Sequence, residues 1–142
     1  MKIKNFKIEQ YDEVYEIWKR TGLSLGASDT REQVERISSL NSGLFLVGIK
    51  KNEVVAVVMG AFDGRRGYVH HLAVKPEYQR KGYGKMMMDE LHSRFLKTNI
   101  KKVHLFIERD NEGVINFYKK IGWHVRDDLE MMSYVPKYKE RE

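Results

Sequence analysis

Apolar residues recur at helical spacing in four stretches of the chain and alternate or run together in the stretches between them. Val14, Ile17 and Trp18 share one face of a helix predicted from about Tyr11 to Arg20. Val34, Ile37 and Leu40 mark a second helix, with Ser28, Asp29 or Thr30 as its cap and Asn41-Ser42-Gly43 as its stop. Met87, Met88, Leu91 and Phe95 form the inner face of a third, from Lys85 to about Leu96. Val114, Phe117, Tyr118 and Ile121 fall at i, i+3, i+4 and i+7 of a fourth, which Gly122-Trp123 ends. Ile3, Phe6 and Ile8 suggest a short first strand. Leu44 to Ile49 and Val54 to Phe62 read as two strands joined by a turn at Lys50-Lys51-Asn52-Glu53. Tyr68 to Val74 is another, following a turn at Asp63–Gly67 and closed by Lys75-Pro76, and Val103 to Ile107 a further one. Trp123-His124-Val125 and Met131 to Val135 are the last two. The predicted order is β α α β β β α β α β β. The alternation of strands and helices in the second half predicts an α/β (α+β) fold, a mixed sheet with helices on both faces.

Composition narrows this picture without changing it. A chain of 142 residues is one ordinary domain, expected to span 1–142, and large enough to bury a core without staples. Hydrophobic and charged contents of 42% and 32% are globular values. There is no apolar run of membrane-spanning length and no signal-peptide pattern at Met1-Lys2-Ile3-Lys4. The absence of cysteine excludes disulfides, thiolate metal sites and thiol nucleophiles, and fits a cytoplasmic protein. The net charge of +6 is spread along the chain, with local groups at 75–85 and 119–120. No basic arm and no nucleic-acid motif accompanies it, so neither a nucleic-acid nor a membrane partner is expected.

Chemistry enters at residues 79–85, Gln79-Arg80-Lys81-Gly82-Tyr83-Gly84-Lys85. Two glycines and three cations stand where a strand gives way to a helix. The first N–H groups of a helix have no intrahelical partner, and its dipole is positive at that end. Glycine lets a ligand approach the backbone closely. An anion is the natural occupant. The spacing is neither that of a P-loop nor a complete G-x-G-x-x-G fingerprint.

The segment resembles the acetyl-CoA loop of the GNAT N-acetyltransferase superfamily, Q/R-x-x-G-x-G/A, with Gln79, Gly82 and Gly84 on its fixed positions and Leu72-Ala73-Val74-Lys75-Pro76 leading in. A second segment, Asn111 to Trp123, resembles the family pattern N-x-x-A-x-x-x-Y-x-x-x-G-F/Y, with Val114 and Trp123 in its small-apolar and aromatic places. The two lie about thirty residues apart in the family's order, and the resemblance covers nearly the whole chain. Arg65-Arg66-Gly67 followed by His71-Leu72-Ala73-Val74 looks most like the small single-domain bacterial group that includes the YpeA-type acetyltransferases.

The resemblance implies a mostly antiparallel sheet of about seven strands. It also implies transfer of an acetyl group from acetyl-CoA, as co-substrate and with no metal, to a primary amine by direct attack in a ternary complex. Acetyl-CoA and an amine acceptor are the implied partners, with a homodimer as an option. Leu72, Ala73, Val74, Gln79, Arg80, Lys81, Gly82, Tyr83, Gly84, Lys85, Asn111 and Tyr118 are the implied cofactor-binding residues. A backbone N–H at Val74 or a neighbour would face the oxyanion. Tyr118, seven positions and close to two helical turns beyond Asn111, would protonate the leaving thiolate. The base is less plainly marked. Histone acetyltransferases of the superfamily use a Glu where Tyr68 stands. Ribosomal-protein N-acetyltransferases carry a Glu where this chain has Phe106. Arylalkylamine N-acetyltransferases have histidines at the places of Tyr68 and His70, so His70 keeps one of that pair. His70 is the first candidate, since imidazole suits proton removal near neutrality. Glu108 is the second. Strand alternation puts Tyr68, His70, Leu72 and Val74 on one face and Val69, His71 and Ala73 on the other, so His71 is expected to pack away from the site. The missing carboxylate base keeps a catalytically weak acyl-CoA-binding or sensor domain as the alternative.

Overall fold

The computed structural model describes residues 1–136. These group into two compact units, Met1–Leu105 and a second that starts at Phe106. The first unit contains β1 (Lys2–Asn5), α1 (Tyr11–Arg20), α2 (Arg31–Leu40), β2 (Phe45–Lys50), β3 (Glu53–Phe62), β4 (Gly67–Val74), α3 (Tyr83–Lys97) and β5 (Val103–Leu105). The second contains α4 (Glu112–Lys120). Short 3-10 turns at Ile8–Gln10, Ala27–Asp29 and Pro76–Tyr78 join some of the elements.

The five strands form one mixed sheet in the order β1-β2-β3-β4-β5. The first three junctions are antiparallel and β4-β5 is parallel. The β2–β3 hairpin closes on Lys51 and Asn52, both at positive φ, the conformation a tight two-residue hairpin turn requires. The expected first nine elements are all present, and the mixed-sheet class holds. The strand count does not: five strands form among the described residues, against about seven expected. Residues 123–125 and 131–135 are not strands. Val125, Leu129, Met131, Met132 and Tyr134 are all exposed. Alternating apolar side chains make a strand only where a neighbour satisfies the backbone, and these segments have no ladder partner. β5 also ends at Leu105, two residues before the expected limit.

Helices cover both faces of the sheet. On one face α1 and α2 bury Val14, Ile17, Trp18 and Val34 with Phe45, Val47, Val57, Met59 and Ala73. On the other, α3 sets Met87, Met88, Leu91 and Phe95 into the core. Asn41, just past α2, ties the layers: its amide donates to the Ile37 carbonyl at 3.1 Å and its Oδ1 accepts from the Phe62 N–H at 2.7 Å. Among the described residues no helix is long and apolar enough to cross a membrane.

The seat of α3 depends on Gly60. A Cβ there would stand 2.7 Å from the Leu44 carbonyl oxygen and 2.8 Å from Leu91 Cδ1. Overpacking of this kind costs about 1–3 kcal/mol. Gly60→Ala is therefore expected to lower the urea midpoint with an unchanged m-value, and a midpoint equal to wild type would show that the α3 interface is looser than described.

Candidate active site

α3 begins unlike its neighbours. Thr30 caps α2 by accepting from the Gln33 N–H, whereas α3 starts at Gly82 with no side-chain cap and no acidic residue in its first turn. The first-turn N–H groups of α3 are thus left to an external acceptor. Gly82 sits at φ 83° with nothing within 4 Å of where a Cβ would be, and Arg80 is also left-handed at φ 62°. Exposed Arg80 and Lys81 add positive charge to the dipole's positive end.

The loop is braced from three sides. Gln79 Nε2 donates to the Val74 carbonyl at 2.9 Å, tying the loop to the end of β4. Lys50 Nζ donates to the Tyr83 hydroxyl at 2.8 Å, tying the first residue of α3 to the end of β2. Arg20 and Glu77 join the end of α1 to the turn before the loop, with Nη2 to Oε1 at 2.9 Å. Of the expected anion-binding residues, Gln79 and Tyr83 therefore hold the loop in shape, and Lys85 pairs with Asp89 at 2.8 Å one turn on.

β4 carries the second feature. It pairs with β5 only from Gly67 to Val69, so the ladder on that side stops before His70. On its other side the register passes from Val57↔Ala73 to Met59↔His70. Two steps on β3 are matched by three on β4. The extra residue makes a β-bulge, and His71 takes φ 51° within it. The simple alternation expected for 68–74 is broken there. Ala73 lies in the α1/α2 core with Met59, and His70 is Met59's partner across the strands. His71 does not pack away from His70. Its Nε2 meets Asp29 Oδ1 at 2.7 Å, and its ring lies edge-on to Trp18 of α1, 4.9 Å between centroids. Both histidines line a single cavity of about 480 Å³ with Ser24, Leu25, Gly26, Ser28, Asp29, Gln33, Ile37 and Met59.

The electrostatics of this cavity act on His70 and Asp29. Burial lowers the pKa of His70, and the neighbouring His71 lowers it further, against an opposing pull from Asp29. For Asp29, burial pushes the carboxyl up, but hydrogen bonds from His71 and the Gly26 N–H outweigh it and leave it below the ordinary range. The Gly26 N–H donates to Oδ2 at 3.0 Å, and the Tyr11 hydroxyl donates to the Asp29 carbonyl at 2.6 Å.

In the second unit Asn111 caps α4, its Oδ1 accepting from the Val114 N–H at 3.3 Å. Tyr118 is buried, with its ring edge-on to Phe117 and Trp123. Burial drives its phenol pKa well above the ordinary value, so it stays protonated. Glu108 is exposed, and its carbonyl accepts from the Asn111 N–H at 2.9 Å.

The structure thus brings His70, Leu72, Ala73 and Val74 together on β4 and places residues 79–85 at the head of α3. Asp29 and His71 are the members of the site that sequence reasoning missed. They are 42 positions apart. Asp29 reads locally as one of three candidate caps, and the bulge that turns His71 leaves no mark in the hydrophobic pattern.

The profile of the Acetyltransferase (GNAT) family matches residues 11–123. An acetyltransferase of Sodalis glossinidius (strain morsitans) is 30% identical over 133 residues, 94% of each chain. Ard1 of Thermoplasma volcanium superposes with a TM-score of 0.81 at 24% identity, over 88% of this chain and 83% of that one. The PaiA N-acetyltransferase of Thermoplasma acidophilum, solved in complex with coenzyme A, gives 0.78 at 21% identity, over 89% and 91%. The chain belongs to the GNAT acetyltransferase family and is an acyltransferase.

The half-buried imidazole of His70 is expected to make stability pH-dependent. Its pKa is lower folded than unfolded, so the unfolded chain takes up its proton first as pH falls. Stability should drop as pH decreases through the ordinary imidazole range and recover as pH rises again. Asp29 acts in a lower window: its contribution is present above the ordinary carboxylate range and is lost as pH falls through its depressed folded value. Urea midpoints at about pH 7.5 and about pH 5.5 should differ less in His70→Gln than in wild type, and equal differences would show that His70 does not carry the effect.

Proposed function

We propose that this GNAT-family protein transfers an acetyl group from acetyl-CoA to a primary amine by direct attack within a ternary complex. One observation carries the reading: the uncapped, glycine-bounded start of α3, braced onto the end of a β4 whose β5 side is unpaired beyond Val69. A diphosphate suits the first feature, since backbone N–H groups, the helix dipole, Arg80 and Lys81 all favour negative charge there. An amide-bearing pantetheine arm suits the second, since an unpaired strand edge offers hydrogen bonds at strand spacing. The PaiA relative's complex with coenzyme A is in keeping with this.

In this reading Leu72, Ala73 and Val74 supply backbone to the arm, and a backbone N–H near Val74 donates to the oxyanion. Gly82, Gly84 and Lys85 receive the phosphates with Arg80 and Lys81, while Gln79 and Tyr83 keep the loop in place. Asn111 orients the start of α4, and Tyr118, held protonated by burial, gives a hydrogen bond or proton to the leaving sulfur. The attacking ammonium must first lose a proton. An imidazole of the cavity suits that task better than exposed Glu108. His70, the first candidate from the sequence, now has His71 beside it in the same cavity.

Two measurements test this. Gly82→Val places a β-branched residue at φ 83°, where it is strained, and sets its bulk over the proposed phosphate site. The folded variant is expected to lose CoA binding by calorimetry, and unchanged affinity would remove the assignment of the loop. Tyr118→Phe should lower kcat by on the order of 10²–10⁴ with CoA affinity nearly unchanged, because the hydroxyl matters as charge develops on sulfur. A kcat within about twofold of wild type would make Tyr118 a core residue only.

A further inference from the structure

We infer that the proton acceptor of the site is His71, oriented by Asp29, rather than His70 beside it. The inference rests on the acetyl-transfer reading above and assigns the step that reading leaves to an imidazole of the cavity. The carboxylate is on His71. Asp29 can only accept, so the proton shared at 2.7 Å belongs to Nε2 of His71, which leaves the Nδ1 lone pair as the basic position. Two contacts hold the ring: this hydrogen bond and the edge-on packing of Trp18 at 4.9 Å. The left-handed backbone at φ 51° turns the side chain toward them. Asp29 is itself held, through Oδ2 by the Gly26 N–H and through its carbonyl by the Tyr11 hydroxyl. A carboxylate that fixes tautomer and orientation, and balances the imidazolium that forms, is the arrangement a basic imidazole needs.

His70 lacks that support. Its burial opposes the charged form, and its ring stacks at 6.3 Å on Tyr68. Among the described residues, the side chains that meet His71 include one negative charge, on Asp29. Asp29 faces it from the turn before α2, His70 adjoins it on β4, and α1 contributes uncharged Trp18 and Tyr11. Arg31 lies beyond Tyr11, 6.0 Å from the Tyr11 ring centre.

In the proposed step the ammonium R–NH3+ gives one proton to Nδ1 of His71. The nitrogen lone pair attacks the thioester carbon, the C–N bond forms and the C–S bond breaks. The remaining excess proton on nitrogen leaves with the thiolate as CoA thiol, so the products are the amide, CoA thiol and a protonated His71. His71 is the catalytic group and Asp29 a positioning residue acting through it.

Asp29→Asn separates this role from a structural one. Asn keeps a carbonyl oxygen for the Gly26 N–H, but its amide then donates to Nε2 and forces the proton onto Nδ1, where it blocks the base. The experiment measures CoA thiol release from acetyl-CoA with n-butylamine, ethanolamine, L-lysine and a tripeptide with a free α-amine, as pH–rate profiles of wild type, Asp29→Asn, His71→Gln and His70→Gln. CoA affinity and thermal midpoint are recorded for each. The expected result is a kcat loss on the order of 10²–10⁴ in Asp29→Asn and His71→Gln with CoA affinity retained, loss of the acid limb of the profile in His71→Gln, and retention of that limb in His70→Gln. Loss of the limb in His70→Gln, or an Asp29→Asn protein as fast as wild type, overturns the assignment of His71 while leaving the transfer reading intact. A wild-type protein that binds CoA yet releases thiol with none of the four amines overturns the transfer reading itself, and this assignment with it. Should His71→Gln fail to fold, the near-isosteric Asp29→Asn profile decides alone.

Discussion

One extra residue in β4 sets the terms for the rest of the site. Between Ala73 and His70 the strand advances three positions while β3 advances two. A β-bulge twists and bends the strand that carries it. Here it has two local consequences. It brings His71 onto the same side as His70, where Trp18 of α1 and Asp29 of the turn before α2 meet it. It also returns Ala73 to the same core as His70's partner Met59. The strand stays paired to β3 through Val74 on one side, while on the other its pairing with β5 has already stopped at Val69. Among the described residues β4 thereby has no β5 ladder partner beyond Val69.

The start of α3 is the complementary device. Most helix starts are closed by a side chain that accepts from the first N–H groups. This one is opened by Gly82 and held in register by Gln79, Lys50 and the Arg20–Glu77 pair. The exposed Arg20–Glu77 pair contributes little stability on its own; its placement matters because it reaches from α1 to the turn leading into the loop. The bracing spends polar groups on shape and leaves the start of α3 without a side-chain cap.

The cavity shows the cost of such arrangements. Asp29 is 8% exposed, and burying a carboxylate is unfavourable unless hydrogen bonds and a partner offset it. Gly26, His71 and the clamp of Tyr11 on the carbonyl provide that offset. For His70 partial burial disfavours the charged ring and lowers its pKa. Two adjacent imidazoles thus acquire different characters from their surroundings alone: one has a carboxylate and the other has an aromatic stack.

Much of the fold was legible in the chain because helices and hairpins are local. Val14, Ile17 and Trp18 place α1 at Tyr11–Arg20 without knowledge of what they pack on. Lys51 and Asn52 mark a turn by their neighbours, and Gln79 to Lys85 mark the junction of a strand and a helix by their glycines and cations. Asn111 likewise announces the cap of α4. What only the tertiary structure decided is whatever depends on a partner distant in the chain. Residues 131–135 alternate like a strand yet form none, because a strand exists only by pairing. The bulge at His71 is a property of the β3–β4 register rather than of either sequence, so a count by twos put His70 and His71 on opposite faces although both line one cavity. Asp29 looks like a helix cap until the fold sets it 2.7 Å from a histidine 42 positions away. Periodicity records which face a side chain prefers within its own element, whereas pairing, burial and charge at a site are set by the other elements that surround it.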